Sequence, residues 1–372
     1  MIQMFIDKTN EDLRDLHLLK IKTQIGTLLN TKIGTFTVGS FEHTTFSWLI
    51  TNLDELLIAK LDRLRILISQ FNNLITSYIG TIVLTQDNYS SDLINMDELK
   101  QICRDARISN FSKKNKNVLS QHIFMHNHLI NQNNNCNNQL KFRILNAKID
   151  IFIQNIFIDF YEIEWDKINT YNRYKFVKKL NLKTCPYCNR NYIFVVDTGN
   201  GKLRPEIDHF FPKSIYPYLA MSFYNLIPSC QICNHTKKAK DSYTDGLLSP
   251  YEINENTFQF TYKPKSVNFL QVKKRKYNFS NFDIKFKSFD ENSNKYFKLD
   301  KLYEQHKDIV LELLIKKTIY TKSYIKDLKR DFNFSDDEIY RFLLCNYKQV
   351  KDLHRRPLGK LIKDISEELN LI

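Results

Sequence analysis

Apolar residues recur every three or four positions over two long stretches near the start of the chain, residues 9–30 and 44–79. This is the period of an amphipathic helix, which buries one face and exposes the other. The same period recurs in four later stretches: 96–106, 140–166, about 298–330 and 335–370. The pattern therefore predicts helices at both ends of the chain.

The middle of the chain is patterned differently. Four of the eight prolines lie within 24 residues, at Pro205, Pro212, Pro217 and Pro228. Proline lacks the backbone N–H and clashes with the preceding helical turn, so this segment cannot be a long helix. We predict short strands and loops here.

Shorter elements flank this segment. Residues 170–182 predict a short basic helix and residues 231–240 a second helix, whereas residues 257–263 and 281–289 alternate apolar and polar positions, as strands do. Two connections are predicted elsewhere: 34–43 as a short strand or loop, and the Asn-rich run 131–139 as a solvated loop.

The composition agrees with this division. Gly and Pro number only eight each in 372 residues, which favours long helices over a turn-rich β fold. We predict an α+β protein in three parts. A mostly helical N-terminal domain covers 1–180, a central segment of short strands covers 181–247, and an α+β region of short strands and then helices covers 248–372.

The net charge of +14 indicates a polyanionic partner, most often nucleic acid. Residues 172–245 contain twelve Lys or Arg against five Asp or Glu, a surplus of seven that is half of the net charge. Residues 262–278 add six basic residues and no acidic one. That second stretch is interpreted either as a track for phosphates or as a solvated basic face.

The cellular compartment affects how the seven cysteines are interpreted. The first residues lack the basic and then apolar pattern of a signal peptide, and no run of 18 apolar residues predicts a membrane span. We therefore expect a cytoplasmic protein, in which paired cysteines usually bind metal. Cys103, Cys136 and Cys345 stand alone and are expected to be ordinary thiols.

The other four cysteines form two Cys-x-x-Cys pairs, separated by 41 residues: Cys185 with Cys188, and Cys230 with Cys233. Each pair can place two thiolates on one side of a tetrahedral Zn²⁺, and a four-cysteine site leaves no open position for water. We expect a structural zinc site that holds together the two ends of the intervening segment. A redox or disulfide role is the alternative.

The segment between the pairs carries further candidate groups. The chain reads CPYC, then EIDHFFPKS, then NLIPSCQICN. It predicts a strand that begins at Leu203 and ends at Asp208 and His209, a second strand from Tyr224 to Pro228, and a helix from Cys230. This order resembles the zinc-stabilised branch of the HNH, or ββα-metal, endonucleases over about residues 183–241. The resemblance implies a metal-dependent phosphodiester hydrolase of nucleic acid. DNA is expected as the substrate rather than RNA, although no sequence feature decides between them.

The resemblance implies a role for each matching residue. His209 would be the general base that activates water, and Asp208 and Asn234 would hold a catalytic Mg²⁺ or Mn²⁺ through oxygen atoms. Asn225 would brace the loop that carries the base. Contacts to the nucleic-acid backbone are expected from four lysines: Lys213, Lys237, Lys238 and Lys240.

Several positions keep alternatives. Asn234 can be only a helix N-terminal residue, and His235 can be taken as the third motif residue in its place. Glu206 lies two residues before Asp208 on the same strand face and can assist metal binding. Six nearby aromatic residues are expected to form a small core rather than stack on bases: Tyr187, Tyr192, Phe210, Phe211, Tyr216 and Phe223. A separate cluster, His122, His126 and His128, is a weaker metal-site candidate.

The core also resembles HNH subunits of anti-phage defence systems such as Septu, in which the nuclease acts with an ATPase. The chain has no G-x-x-x-x-G-K-S/T motif, so nucleotide energy would come from an ATPase partner encoded in the same defence operon. Two rival functions share parts of the pattern. They are a non-catalytic zinc module that only binds nucleic acid, and an RNA-cleaving toxin.

Overall fold

The computed structural model describes residues 1–4, 8–105, 115–130, 135–198, 201–237, 240–265, 270–271, 276–277 and 279–371. For residues 8–10, 122, 126–130, 270–271, 276–277 and 279, only the backbone is described. The chain divides into two compact units. The helical unit comprises Ile21–Phe160, and the core unit comprises Met1–Lys20 with Tyr161–Ile372.

The helical unit is built from amphipathic helices. α1 (Lys8–Ile33) enters it at Ile21, and the others are α2 (Phe41–Thr51), α3 (Leu53–Ile58), α4 (Leu61–Ser77), α5 (Gln86–Ser90), α6 (Met96–Asp105), α7 (Lys116–Ile130) and α8 (Asn135–Ile153). Apolar positions at helical spacing, including Leu49, Leu56, Leu64 and Ile68, are fully buried. Their burial is the main force that holds these helices together.

Two local predictions in this unit need correction. The predicted helix 44–79 is three helices, because the backbone leaves helical geometry at Asn52 and Lys60. The predicted loop at 131–139 is wrong for residues 135–139, which begin α8; residues 131–134 lie outside the described part. Asn137 is buried and accepts a hydrogen bond from the Tyr89 hydroxyl at 3.0 Å, so tertiary packing overrides the polar composition there.

The core unit mixes short helices with small antiparallel sheets. Its elements before the C-terminal helices are α9 (Arg173–Leu180), β1 (Val196–Thr198), β2 (Gly201–Leu203), β3 (Glu206–His209), β4 (Leu226–Ser229), α10 (Gln231–Lys237), β5 (Gln259–Pro264), β6 (Leu270–Gln271), β7 (Lys276–Tyr277) and β8 (Phe282–Ser288). The strands pair antiparallel as β1–β2, β3–β4, β5–β8 and β6–β7. The predicted strands at 257–263 and 281–289 correspond to β5 and β8.

Helices complete the core unit: α11 (Glu291–Phe297), α12 (Leu299–Tyr303), α13 (Lys307–Ile319), α14 (Lys322–Phe332), α15 (Asp336–Leu344) and α16 (Gly359–Glu368). Side-chain caps explain several helix starts; Ser335, for example, forms a capping box with Glu338 at the start of α15. The α+β class predicted from the sequence is confirmed. The division at residues 180 and 247 stays a prediction.

Candidate active site and metal centre

The four paired cysteines come together in the core unit. Their sulfur atoms all lie within 4.8 Å of one another, and all four residues are buried. The Cys188 and Cys230 sulfurs are 3.9 Å apart, close to the roughly 3.8 Å expected between thiolates that share one tetrahedral Zn²⁺. The expectation of a four-cysteine cluster able to hold a metal ion is confirmed.

Backbone and amide donors point at the same sulfurs. The Arg190 N–H lies 3.4 Å from the Cys188 sulfur, and the Asn191 amide nitrogen lies 3.3 Å from the Cys230 sulfur. Burial raises the pKa of the Cys185 thiol well above its usual value. Four buried thiolates would repel one another without a cation, so this set of donors suits a divalent metal.

Strand β3 carries the two candidate catalytic residues. In the register with β4, Asp208 is opposite Ile227 and His209 is opposite Leu226. Both side chains are mostly buried. Asp208 Oδ2 accepts a hydrogen bond from the Tyr187 hydroxyl at 2.6 Å and lies 3.2 Å from the Lys237 ammonium. Among the described residues, no partner is recorded for Oδ1, which leaves it available to a cation.

The imidazole of His209 is held in one orientation. Its Nε2 lies 3.0 Å from the Ala220 carbonyl oxygen. A carbonyl oxygen only accepts, so Nε2 carries the hydrogen and Nδ1 keeps a free lone pair. Burial, with the nearby Lys213 and Lys237 charges, lowers the pKa of His209 to about 3 against the pull of the Ala220 carbonyl. The ring is therefore neutral at physiological pH, with its lone pair on Nδ1.

Asn225 braces the loop after β3. Its amide oxygen accepts from the Phe211 N–H at 2.6 Å, and its amide nitrogen donates to the carbonyls of Phe211 and Leu219 at 3.1 and 2.9 Å. Asn225 is fully buried. Its role in supporting the catalytic base stays a prediction.

Asn234 is the fourth predicted residue, on α10. Its amide nitrogen donates to Glu206 Oε2 at 2.7 Å, which leaves the amide oxygen for another ligand. The other Glu206 oxygen, Oε1, lies 3.4 Å from Nε2 of the exposed His235. Glu206 thus orients Asn234 by hydrogen bonding.

Asp208, His209 and Asn234 line one cavity of about 300 Å³. Its lining includes Tyr161, Asp208, His209, Lys213, Asn234 and Lys237. The two candidate oxygen ligands and the candidate base therefore reach the same space. Carboxylate and amide oxygens are the donors that suit Mg²⁺ or Mn²⁺, so the residues present fit a hard divalent cation.

The four predicted phosphate-contacting lysines differ in their surroundings. Lys213 lines the cavity and forms an ion pair with Glu162, with its ammonium 5.0 Å from the Tyr161 ring centre. The Lys240 ammonium is 4.4 Å from the Tyr296 ring centre. Lys237 is buried, and Lys238 lies outside the described residues.

The structure describes only some of the other residues that the sequence singled out. The side chains of His122, His126 and His128 lie outside the described part of the chain, as do those of Lys273, Lys274, Arg275 and Lys276. Lys265 pairs with Asp283 at 2.9 Å. Of the six aromatic residues expected to form the small core, five are buried; Tyr192 is half exposed and stacks on the half-exposed Phe194.

Sequence reasoning missed two contributors. The Tyr161 ring packs edge-on against His209, with centroids 4.5 Å apart, and it lies 48 positions earlier in the chain. Tyr187 was predicted only as a core residue, yet its hydroxyl holds Asp208. Neither residue carries a local signal, since a tyrosine in an apolar stretch is most often core.

Comparison with known proteins gives a short local match. A stretch of 45 residues is 42% identical to the Septu protein PtuB of Bacillus thuringiensis, and it covers 12% of this chain and 18% of that protein. No protein-family model matches the chain. No solved structure matches it significantly. None of the described helices is long and apolar enough to cross a membrane.

Proposed function

We propose that the chain is a metal-dependent endonuclease of the HNH type that hydrolyses phosphodiester bonds of nucleic acid, and we expect DNA rather than RNA to be its substrate. The observation that carries the proposal is the single cavity lined by Asp208, His209 and Asn234. The strand–strand–helix order and the adjacent four-cysteine cluster support it. Zn²⁺ is proposed for the cysteines, as a structural ion.

In the proposed mechanism, Asp208 Oδ1 and the Asn234 amide oxygen would hold Mg²⁺ or Mn²⁺. When bound, this cation would neutralise the charge that develops on the phosphate and the leaving oxygen. His209 Nδ1 takes a proton from the attacking water, whose oxygen bonds to phosphorus as the bond from phosphorus to the leaving oxygen breaks. The leaving oxygen takes its proton from solvent, and Nε2–H of His209 stays bonded to the Ala220 carbonyl throughout. That bond stabilises the imidazolium that forms, because the carbonyl dipole faces the new positive charge.

The remaining residues position these groups. Tyr187 and Lys237 hold Asp208, Glu206 orients Asn234, and Asn225 fixes the loop after the base. Lys213 at the cavity and Lys240 are proposed to contact the nucleic-acid backbone, together with Lys238. Binding is then expected to weaken steeply as salt rises. Lys237 is buried and acts on the site through its ion pair with Asp208.

A plasmid cleavage assay tests the proposal. Wild-type protein is compared with His209→Ala and with His43→Ala, a control on α2, in Mg²⁺, Mn²⁺ or EDTA. We expect cleavage with either ion and none in EDTA. Loss of the general base is expected to lower the rate about 10²- to 10⁴-fold, and the control is expected to cleave at the wild-type rate.

The outcomes also separate the rival functions. Salt-sensitive binding without cleavage in any metal would support a non-catalytic nucleic-acid-binding module. Degradation of RNA with the plasmid left intact, abolished by His209→Ala, would support an RNA-cleaving toxin. Equal cleavage by wild type and His209→Ala would contradict the proposed role of the histidine.

We further propose an effector role in anti-phage defence, acting in the cytoplasm with an ATPase partner protein. The match to the Septu protein PtuB supports this role. Phage plating on bacteria that express the chain with its neighbouring genes tests it. We expect fewer plaques with wild type than with His209→Ala, and equal plaque numbers would contradict the defence role.

A further inference from the structure

Three consecutive carbonyls in the loop before β4 each accept a hydrogen bond from a different side chain. The donors are Asn225 Nδ2 to Leu219 at 2.9 Å, His209 Nε2 to Ala220 at 3.0 Å, and His17 Nε2 to Met221 at 2.7 Å. The first two donors belong to the candidate nuclease motif. The third comes from α1, 204 positions before Met221 in the chain.

The hydrogen positions on His17 follow from its two partners. The Met221 carbonyl only accepts, so His17 Nε2 carries the hydrogen. Nδ1 is then the acceptor for the Tyr171 hydroxyl, 3.0 Å away. Burial lowers the pKa of His17 to about 4, which keeps the ring neutral at physiological pH. In His17, Nε2 is therefore the hydrogen-bond donor and Nδ1 the acceptor.

The surroundings of His17 prevent the ring from moving. The side chain has no exposed surface. Trp165, Phe176 and Phe223 pack around it, with ring centroids 5.8, 6.1 and 5.8 Å from its own. A rigid donor in a closed aromatic pocket fixes the direction of the carbonyl that it binds.

The carbonyls of Ala220 and Met221 belong to adjacent peptide planes that share the Met221 Cα atom. Fixing the Met221 carbonyl restricts rotation about that atom, and it thereby restricts the direction of the Ala220 carbonyl. The Ala220 carbonyl in turn decides which nitrogen of His209 carries the hydrogen. A chain of contacts thus runs from Tyr171 through His17 to His209.

We propose that His17 is a positioning residue for the nuclease site. By holding the Met221 carbonyl, it keeps the Ala220 carbonyl directed at His209 Nε2, and so leaves Nδ1 as the proton acceptor. The inference rests on the proposed function of His209. Nothing in the motif that resembles HNH nucleases includes His17.

The tautomers can be measured directly by NMR on protein labelled with ¹⁵N-histidine, with signals assigned from the His17 and His209 variants. In the wild type, we expect both rings to carry hydrogen on Nε2 at pH 7.5. In His17→Phe, which retains an aromatic ring but loses the donor, we expect His209 to exchange between both tautomers. We also expect kcat to fall about tenfold with KM unchanged, because only the base is disturbed.

Two variants serve as comparisons. Phe176→Leu disturbs the same pocket without removing a hydrogen bond, so it should lower stability and leave the tautomer of His209 as in the wild type. His17→Gln retains an N–H donor and should recover part of kcat. If His17→Phe does not fold, His17→Leu replaces it; it also lacks the donor to the Met221 carbonyl, and the same exchange of tautomers is expected at His209.

Two results would overturn the inference. One is a wild-type His17 or His209 that carries its hydrogen on Nδ1. The other is a folded His17→Phe protein in which the His209 tautomer is unchanged. A wild type that cleaves no nucleic acid would instead refute the proposed function, and the tautomer measurement would still decide what His17 does to His209.

Discussion

The buried surroundings of Lys237 change the role that its position in the sequence predicts. Three positions after Asn234, a lysine suggests a phosphate contact, but this one is 2% exposed. Its ammonium lies 3.2 Å from Asp208 Oδ2 and donates to the carbonyls of His209 and Phe210 at 3.0 and 2.8 Å. Burial lowers the pKa of Lys237, and Asp208 opposes that effect. The lysine holds β3 and α10 together beside the cavity.

Replacing this lysine tests that role. Removing one member of a buried ion pair leaves the other charge unpaired, which costs about 3–5 kcal/mol. We therefore expect Lys237→Met to lower the free energy of unfolding by roughly 3 kcal/mol in urea denaturation. The double variant Lys237→Met/Asp208→Asn should recover part of this loss, since no buried charge remains. An unchanged midpoint in Lys237→Met would contradict the assignment.

At the scale of elements, the first cysteine pair depends on the C-terminal part of the chain. Asn189, just after Cys188, has a left-handed backbone with φ 50°. Its amide nitrogen donates to the Leu353 carbonyl at 3.1 Å, and its amide oxygen accepts from the Lys360 N–H at 3.0 Å. The Leu358 N–H donates to the Asn189 carbonyl at 2.6 Å. The segment 353–360 therefore holds this turn in place.

Within residues 353–360, Gly359 has no room for a side chain. A Cβ atom there would lie 2.7 Å from the Leu353 carbonyl oxygen, which belongs to the backbone and cannot move freely. We expect Gly359→Ala to cost about 1–3 kcal/mol of stability, the usual range for overpacking. Thermal unfolding measures the loss.

The matched control is Gly80→Ala, where the added Cβ would meet nothing within 4 Å. Its effect should stay within about 0.5 kcal/mol of the wild type. Equal unfolding temperatures for the two variants would show that the backbone around Gly359 can shift to accommodate the added methyl group.

At the scale of the whole molecule, the chain has two compact units, and the cysteine cluster lies outside the helical one. The four cysteines lie in the core unit, whose small sheets have two strands each. Sheets of this size are marginal alone, so an ion bound by the four cysteines would contribute directly to the folding of that unit. The helical unit has its own buried apolar core.

Removal of the metal should therefore destabilise the core unit and leave the helical unit folded. We expect Cys188→Ser, or a strong chelator, to remove one zinc equivalent and to lower the Tm of the core unit by on the order of 10 °C or more. The helical unit should keep its transition, as followed by hydrogen exchange. The control Cys345→Ser alters an exposed cysteine outside the cluster and should keep the full zinc content. Equal metal content in all three proteins would refute the four-cysteine site.

The sequence by itself determined the features that depend on local spacing. Helical periodicity located most helices, prolines excluded a long helix between the cysteine pairs, and the order of strand, strand and helix followed from short patterns. The ends of elements were predicted less well from the sequence. The first strand was expected to begin at Leu203, but it begins at Glu206, because Gly201–Leu203 pairs with β1. The two Cys-x-x-Cys pairs were also visible, because both ligands of a pair lie within one turn.

Only the tertiary structure decided which distant groups meet. Tyr161, His17 and the Ala220 carbonyl reach His209, directly or through one neighbouring peptide, from positions that no local pattern connects to it. Folding also turned Lys237 inward and left Tyr192 half exposed. The physical reason is that periodicity reports which face of an element is buried, whereas the partner across the core depends on how the elements pack together.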